Sequence, residues 1–300
     1  MLPFLVRPPR SPERPPARDV RRVEVGSTLR YEVDAPTAFL FQVAASRNDH
    51  QKIVSESFET EPGTEVERCR EGPSGNRMMR LVAGPGPLEV RYRATVELAR
   101  DVARPDALGE GAFADLPAEV LPYLNPSRYC ESDLLGDVAW KAFGALEPGH
   151  ARIAAVADWV HGRMSYVPGS TGPSTTARDV LESREGVCRD YAHLTIALVR
   201  ALGVPARYVA GYAVDLDPPD FHGFAEVWLG DAWYLFDATR LAPVSGFVRI
   251  GTGRDAADAS FATIVGPARS TAPPEVSARW TDGEGSSGDR VAEAEAVSTA

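Results

Sequence analysis

Much of what this chain lacks narrows what it can be. None of its apolar runs approaches the roughly 18 residues that a membrane-spanning helix needs. Met1 to Val6 are apolar but too few for the core of a signal peptide, and prolines and arginines follow at once. A cytoplasmic protein with no membrane association is therefore expected. Positive charge is not in excess: 32 Lys and Arg face 42 Asp and Glu, a formal net charge of -10, which makes nucleic acid a poor partner. Cysteine is scarce. Cys69, Cys130 and Cys188 are far apart and odd in number, so no disulfide framework is implied. No CxxC or CxxH pair exists to start a zinc site. There is no internal repeat and no Gly-rich phosphate loop, and Gly251-Thr252-Gly253-Arg254 is too weak a pattern for a nucleotide site. None of these patterns requires a cofactor.

What is present is ordinary in bulk, with 44% hydrophobic and 25% charged residues over a length that suits one large domain or two. Residues 1–22 are rich in proline and arginine, and 267–300 carry Pro273-Pro274 and a Gly- and Ala-rich run; both are expected to be disordered tails. Within 23–105, runs rich in Val, Leu, Phe and Tyr are separated by turn residues. Val90, Tyr92, Ala94 and Val96 alternate with Arg91, Arg93 and Thr95, the period of a half-buried strand, and the region predicts a β-sandwich. Residues 106–147 are expected to be a linker region, with Asn125 to Asp133 joining the two domains.

Residues 148–266 predict an α+β domain, because helices precede strands instead of alternating with them. A helix is expected from Pro148 to Met164, a shorter one from Thr176 to Glu182 with Thr175 or Thr176 as its cap, and a third from Cys188 to Leu202. The third carries Tyr191, Leu194, Leu198 and Leu202 on one stripe and stops at Gly203 and Pro205. Strands are expected over Arg207–Val214, His222–Leu229 and Trp233–Asp237.

Chemistry concentrates in this domain. Cys188 falls in the first turn of its helix, where backbone N–H groups favour a thiolate over a thiol. Gly230-Asp231 between two apolar runs reads as a two-residue hairpin turn. That register pairs Leu229 with Ala232 and, counting back, Phe224 with Asp237. His222 then shares a face with Asp237 at a diagonal separation of roughly 7–8 Å between the two positions, within reach of a side-chain hydrogen bond. A turn one residue longer would place them on opposite faces. A thiol, a histidine and an aspartate in this order have the makings of a nucleophile, its base and the group that orients the base. Each alone has a plainer reading: a buried cysteine, a satisfied core histidine, a turn aspartate. The Cys188 backbone N–H supplies one oxyanion donor.

The stretch Gly186-Val187-Cys188-Arg189-Asp190-Tyr191-Ala192, the His222 strand and Phe236-Asp237-Ala238-Thr239 resemble the three signature blocks of the transglutaminase-like superfamily. The resemblance covers about residues 23 to 266. It implies a papain-like cysteine protease core preceded by an N-terminal β-sandwich, and Cys188, His222 and Asp237 as a catalytic triad. It also offers Tyr166, in Tyr166-Val167-Pro168-Gly169, as a second oxyanion donor, against a simple packing role. The implied activity is acyl transfer from an amide of a protein or peptide, with protease or amidase favoured over a cross-linking transferase. One departure stands out. The family histidine is often followed by Ala-Trp, and here by Gly223-Phe224, from which an altered pocket shape with retained chemistry is expected. Arg189-Asp190 also fits the family block, with a surface ion pair as its alternative.

Two rival readings stay open. The fold can serve as a binding or scaffold module without the reaction, although the triad is complete. A zinc site on Cys188, His222 and Asp237 would lack the further ligand such sites normally have. His193, about 140° around the helix from Cys188, is expected to pack instead of react. Asp215, Asp217 and Asp220 before His222 read either as a solvated loop or as a selector of cations or basic substrates.

Overall fold

The structure, a computed structural model, describes residues 20–70, 74–281 and 295–300. The chain runs β1 (Val20–Val33), β2 (Thr37–Phe41), β3 (Gln51–Glu61), β4 (Glu67–Arg70), β5 (Arg77–Ala83), β6 (Gly86–Ala99) and β7 (Asp101–Ala103). Helices α1 (Gly136–Phe143) and α2 (His150–Arg163) follow, then β8 (Ser165–Tyr166), α3 (Ala177–Ser183), β9 (Glu185–Gly186) and α4 (Cys188–Ala201). Strands β10 (Ala206–Ala213), β11 (Phe221–Leu229), β12 (Ala232–Phe236), β13 (Phe247–Gly253), β14 (Ala262–Val265), β15 (Ala268–Ser270), β16 (Glu275–Trp280) and β17 (Ala296–Ser298) complete it.

The N-terminal region is a sandwich of two antiparallel sheets, as its alternating sequence requires. One is ordered β15-β1-β6-β3 with β16 also on β1, the other β14-β2-β5-β4. Inward residues of both, among them Val25, Tyr31, Phe39, Phe41, Leu81 and Tyr92, form one buried core. That core continues into the second domain through Tyr212, Val248 and Ile250. The junction is also pinned by polar contacts: Tyr212 Oη donates to the Val43 carbonyl at 2.7 Å, and Gln51 exchanges bonds of 2.7 and 2.8 Å with the Arg249 backbone.

The second domain packs α4 against the antiparallel sheet β12-β11-β10-β13, with α1, α2 and α3 around the helix. Its core gathers Ile153, Val156 and Val160 from α2, Leu194 and Leu198 from α4, and Tyr208, Ala225 and Val227 from the sheet. This mixed α/β arrangement behind a β-rich domain is the architecture expected from sequence. α3 starts at a capping box in which Thr176 and Asp179 bond reciprocally.

Four expectations need correction. First, the described parts of the expected C-terminal tail, 267–281 and 295–300, are paired in sheets, while 282–294 lie outside the described residues. β15 and β16 hydrogen-bond to β1 and finish the edge of the N-terminal sheet, while β17 pairs with β7 in a separate two-stranded sheet. Their short, mixed-polarity sequences give little periodic signal, and pairing with a ready strand edge supplies the order. Second, β1 begins at Val20, inside the expected N-terminal tail, whose residues 1–19 lie outside the described ones. Third, 106–147 is no spacer. Cys130, Leu135, Ala139 and Phe143 are buried in the core around α4, and the Arg200 guanidinium donates to the Asn125 carbonyl and to Ser127 Oγ. Irregular apolar spacing hid this from a periodicity argument. Fourth, α4 is buried on every side from Asp190 to Arg200, not along one stripe.

Candidate active site

The sequence builds the site from the hairpin outward. Gly230 and Asp231 both have positive φ, 53° and 68°, the backbone that a tight two-residue turn demands. Leu229 pairs with Ala232 and Ala225 with Phe236, the register inferred from sequence. His222 and Asp237 consequently meet: His222 Nε2–H donates to Asp237 Oδ2 at 2.8 Å, with both side chains buried. The second carboxylate oxygen accepts from the Thr239 amide at 2.9 Å and from Thr239 Oγ1 at 2.8 Å. The loop behind is tied to α2 by His161 Nδ1, which donates to the Ala238 carbonyl at 2.9 Å. Asp237 is thus held in one orientation, with its charge fully hydrogen-bonded.

Cys188 opens α4 and is partly exposed, its Sγ 3.9 Å from the Phe221 carbonyl at the start of β11. With Nε2 engaged, His222 Nδ1 has no oxygen or nitrogen partner and is the nitrogen left for the thiol. Burial lowers the imidazole pKa, but the charge and hydrogen bond of Asp237, aided by Cys188, outweigh it and raise it to about 10. The site therefore favours a charged imidazolium beside the sulfur at neutral pH.

Asp190 fixes the start of α4. The carboxylate is buried, with Oδ2 accepting from the Val187 amide at 2.9 Å and from Thr171 Oγ1 at 2.5 Å, while Arg189 pairs with Oδ1. The surface ion pair considered for Arg189-Asp190 is instead a buried brace under the first turn of the Cys188 helix. Gly186 belongs to the same joint, because a Cβ there would stand 2.7 Å from the Asp190 Cβ.

Tyr166 lies on the two-residue parallel ladder of β8 and β9, opposite Gly186 and two residues from Cys188. Its pKa is raised, chiefly by burial and next by the neighbouring Cys188, whereas the Cys188 backbone N–H lowers it. Asp220, in the acidic loop, accepts from the Phe221 amide at 2.7 Å and so helps shape the approach to His222.

The Gly223-Phe224 departure has a packing cause. A Cβ on Gly223 would meet the Tyr208 hydroxyl at 2.3 Å, so that ring occupies the space an alanine would use. Phe224 stacks on Phe247 at 4.1 Å between ring centroids, and Phe247 lies 5.4 Å from the His222 ring. Val297 of β17 closes the same buried cluster. His193 packs between Tyr129 and Tyr208, and its Nε2 accepts from the Ala256 amide at 3.1 Å. Burial lowers its pKa to about 3, consistent with a neutral packing residue.

Sequence reasoning missed Thr239, Asp190 and Tyr208 as parts of the site. Thr239 had a local signal, since an aspartate two residues before a threonine is a turn pattern. Tyr208 had none, because its role depends on a strand neighbour. Among the described residues no group of three His, Cys, Asp or Glu side chains is arranged to hold a metal ion. Nor does any helix of these residues have the length and apolarity to cross a membrane.

A thiol at a helix N-terminus, facing a carboxylate-oriented imidazole on an antiparallel sheet, defines a papain-like arrangement. The family model for the transglutaminase-like superfamily matches residues 140–238, and that for the bacterial transglutaminase N-terminal domain matches 21–119. The chain belongs to the transglutaminase-like superfamily. It is similar to the crystal structure of a "putative cysteine protease" from Cytophaga hutchinsonii, with a TM-score of 0.89 and 40% identity over 94% of this chain and 98% of that one. It also resembles uncharacterized proteins of Mycobacterium leprae, 34% identical over 45% of this chain and 51% of theirs, and of Mycobacterium tuberculosis, 32% identical over 53% of each. The matched region spans about half the length of these curated relatives.

Proposed function

We propose that the protein is a cysteine-dependent acyl-transfer enzyme acting on amide bonds of proteins or peptides, with Cys188, His222 and Asp237 as its triad. The observation that carries this reading is the buried His222–Asp237 bond of 2.8 Å, which leaves Nδ1 free for the thiol. In the proposed reaction the Cys188 thiolate attacks the amide carbonyl carbon and a C–S bond forms. The carbonyl oxygen takes the negative charge, facing the Cys188 N–H and the Tyr166 hydroxyl as donors. His222 gives its proton to the leaving nitrogen, the C–N bond breaks, and a thioester remains. Water then attacks the thioester carbonyl while His222 takes its proton, the C–S bond breaks with the thiolate as leaving group, and the acid is released with the thiolate–imidazolium pair regenerated. Hydrolysis is the favoured outcome, in keeping with the printed description of the 40% identical relative. A primary amine in place of water would give cross-linking.

The test is the pH dependence of alkylation at Cys188, resolved by peptide mass spectrometry from Cys69 and from Cys130, whose thiol burial pushes up to about 12. Rapid labelling well below the free-thiol pKa of about 8.5, abolished in His222→Ala, is expected. Slow labelling in both proteins would return the chain to the non-catalytic scaffold reading. Peptide hydrolysis measured against incorporation of a fluorescent primary amine then separates the two acyl acceptors.

A further inference from the structure

The loop between β10 and β11 ends against the reacting sulfur. Asp220 is its last residue, and Phe221, the first of β11, has its carbonyl 3.9 Å from Cys188 Sγ. Asp220 Oδ1 accepts from the Phe221 amide at 2.7 Å, which holds the carboxylate beside that residue. Two groups of the site feel its charge. Burial raises the Tyr166 pKa, and Cys188 and then Asp220 raise it further. Partial burial also raises the pKa of Asp220, which remains open to solvent, while the Phe221 N–H and the His222 charge pull it back.

No cation of the protein answers this carboxylate, which has no ion-pair partner among the described residues. The Arg189 guanidinium, next to the nucleophile in sequence, is committed to Asp190 Oδ1, Thr171 Oγ1 and the Gly172 carbonyl. Arg240 pairs with Asp158, and Arg249 on β13 with Glu226. Arg184 lies beyond Glu185, at the end of the β8–β9 ladder away from Cys188. The other charges near the approach are acids: Asp215 and Asp217 on the same loop, and Glu185, all exposed. The loop carboxylates are not gathered around a metal position, since no group of three His, Cys, Asp or Glu among the described residues can hold one. Where a ligand enters is marked independently by His222 Nδ1, which is buried, has no oxygen or nitrogen partner and faces the thiol.

We propose that Asp220 makes the enzyme selective for substrates with a basic side chain, lysine or arginine, adjoining the amide attacked at Cys188. This deepens the triad reading and rests on it. An ammonium or guanidinium against the carboxylate gains a charge-assisted hydrogen bond, strengthened where the bound peptide displaces water. An acidic side chain would meet the uncompensated field of Asp220, Asp215 and Asp217.

Two labelling measurements at Cys188 test this, and neither requires turnover. The first compares cationic 2-(trimethylammonium)ethyl methanethiosulfonate with anionic 2-sulfonatoethyl methanethiosulfonate, each rate divided by that of 2-mercaptoethanol. The cation-to-anion ratio should fall about fivefold or more in Asp220→Asn, clearly less in Asp217→Asn, and should shrink at high salt. The second measures protection of Cys188 from neutral methyl methanethiosulfonate by the acetylated amide of Ala-Ala-Lys-Ala-Ala, and by its analogues with norleucine or glutamate at the centre. The lysine peptide should protect at a roughly tenfold lower concentration than the norleucine peptide, with glutamate weakest. Asp220→Asn should remove the lysine advantage. A ratio unchanged in Asp220→Asn, an equal effect of Asp217→Asn, or a lysine peptide no better than the norleucine one would each overturn the proposal. The triad reading fails by a different result, a neutral-reagent rate that His222→Ala leaves unchanged.

Discussion

The phenol of Tyr208 stands where a side chain on Gly223 would have to go: a Cβ at position 223 would lie 2.3 Å from the hydroxyl and 2.8 Å from two ring carbons. One residue after the proposed base, the sheet has thus given up a methyl group to admit a neighbouring ring.

Gly223→Ala should therefore destabilise the protein by about 1–3 kcal/mol, the usual cost of overpacking. Adding Tyr208→Phe removes the closest atom, so the double variant should be less destabilised than the sum of the single changes. Urea denaturation of the four proteins in a double-mutant cycle measures this. Strict additivity would refute the proposed clash.

His222 ties stability to pH. Its pKa is raised from 6.5 to about 10 on folding, so its ionic contribution is complete below pH 6.5 and is lost as pH rises through about 10. The difference in Tm between the wild type and His222→Gln should be largest in mild acid and shrink steadily towards pH 10.5. A difference that grew with pH would contradict the assigned charge state.

Glu226 is enclosed in the sheet between two arginines, accepting from Arg207 Nε at 2.7 Å and from Arg249 Nη1 at 2.9 Å. Burial raises its pKa, but Arg249 and Arg207 prevail and bring it down to about 2. The stabilisation is thus present above about pH 4.5 and lost as pH falls through about 2. Glu226→Gln leaves two buried cations without their counter-charge and should cost about 3–5 kcal/mol at pH 7. A change below about 1 kcal/mol in denaturant unfolding would mean that the arginines find other compensation.

Val297 tests whether the last strand belongs to the second domain. It is buried against Phe224, Phe247 and Leu235. Val297→Asp puts an unpaired carboxylate into that cluster and should lower the stability by about 2 kcal/mol or more. The alkylation rate of Cys188 should change with it, because Phe247 also lies against the His222 ring. A variant with wild-type melting and labelling would mark residues 295–300 as dispensable.

The site was legible wherever the determinants were local. The Gly230-Asp231 turn sets the β11–β12 register, and that register brings His222 to Asp237, so the sixteen residues from 222 to 237 contained the relationship. The start of α4 was readable from Gly186 and the apolar residues after Cys188 for the same reason. Asp190 was visible but not its role, since a buried brace and a surface ion pair look identical without knowing what covers them. Cys130, Arg200 and the strands after residue 267 depend on partners that lie far off in sequence, from 54 residues for Arg200 and Arg254 to 257 for Val23 and Trp280, and no short window along the chain contains both halves of such a contact. Tyr208 and Gly223 needed the β10–β11 pairing before either could explain the other.

The pairing of β1 with β15 and β16 also sets an order of events during synthesis. β6 can cover one edge of β1 as soon as residue 99 has emerged, but the other edge waits for residues 268–280. At roughly 5–20 residues per second, the ribosome takes on the order of ten seconds or more to deliver them. Throughout that interval the nascent N-terminal domain presents an open strand, so chaperone occupancy should be greatest while the second domain is being translated and should fall when β15 and β16 reach β1.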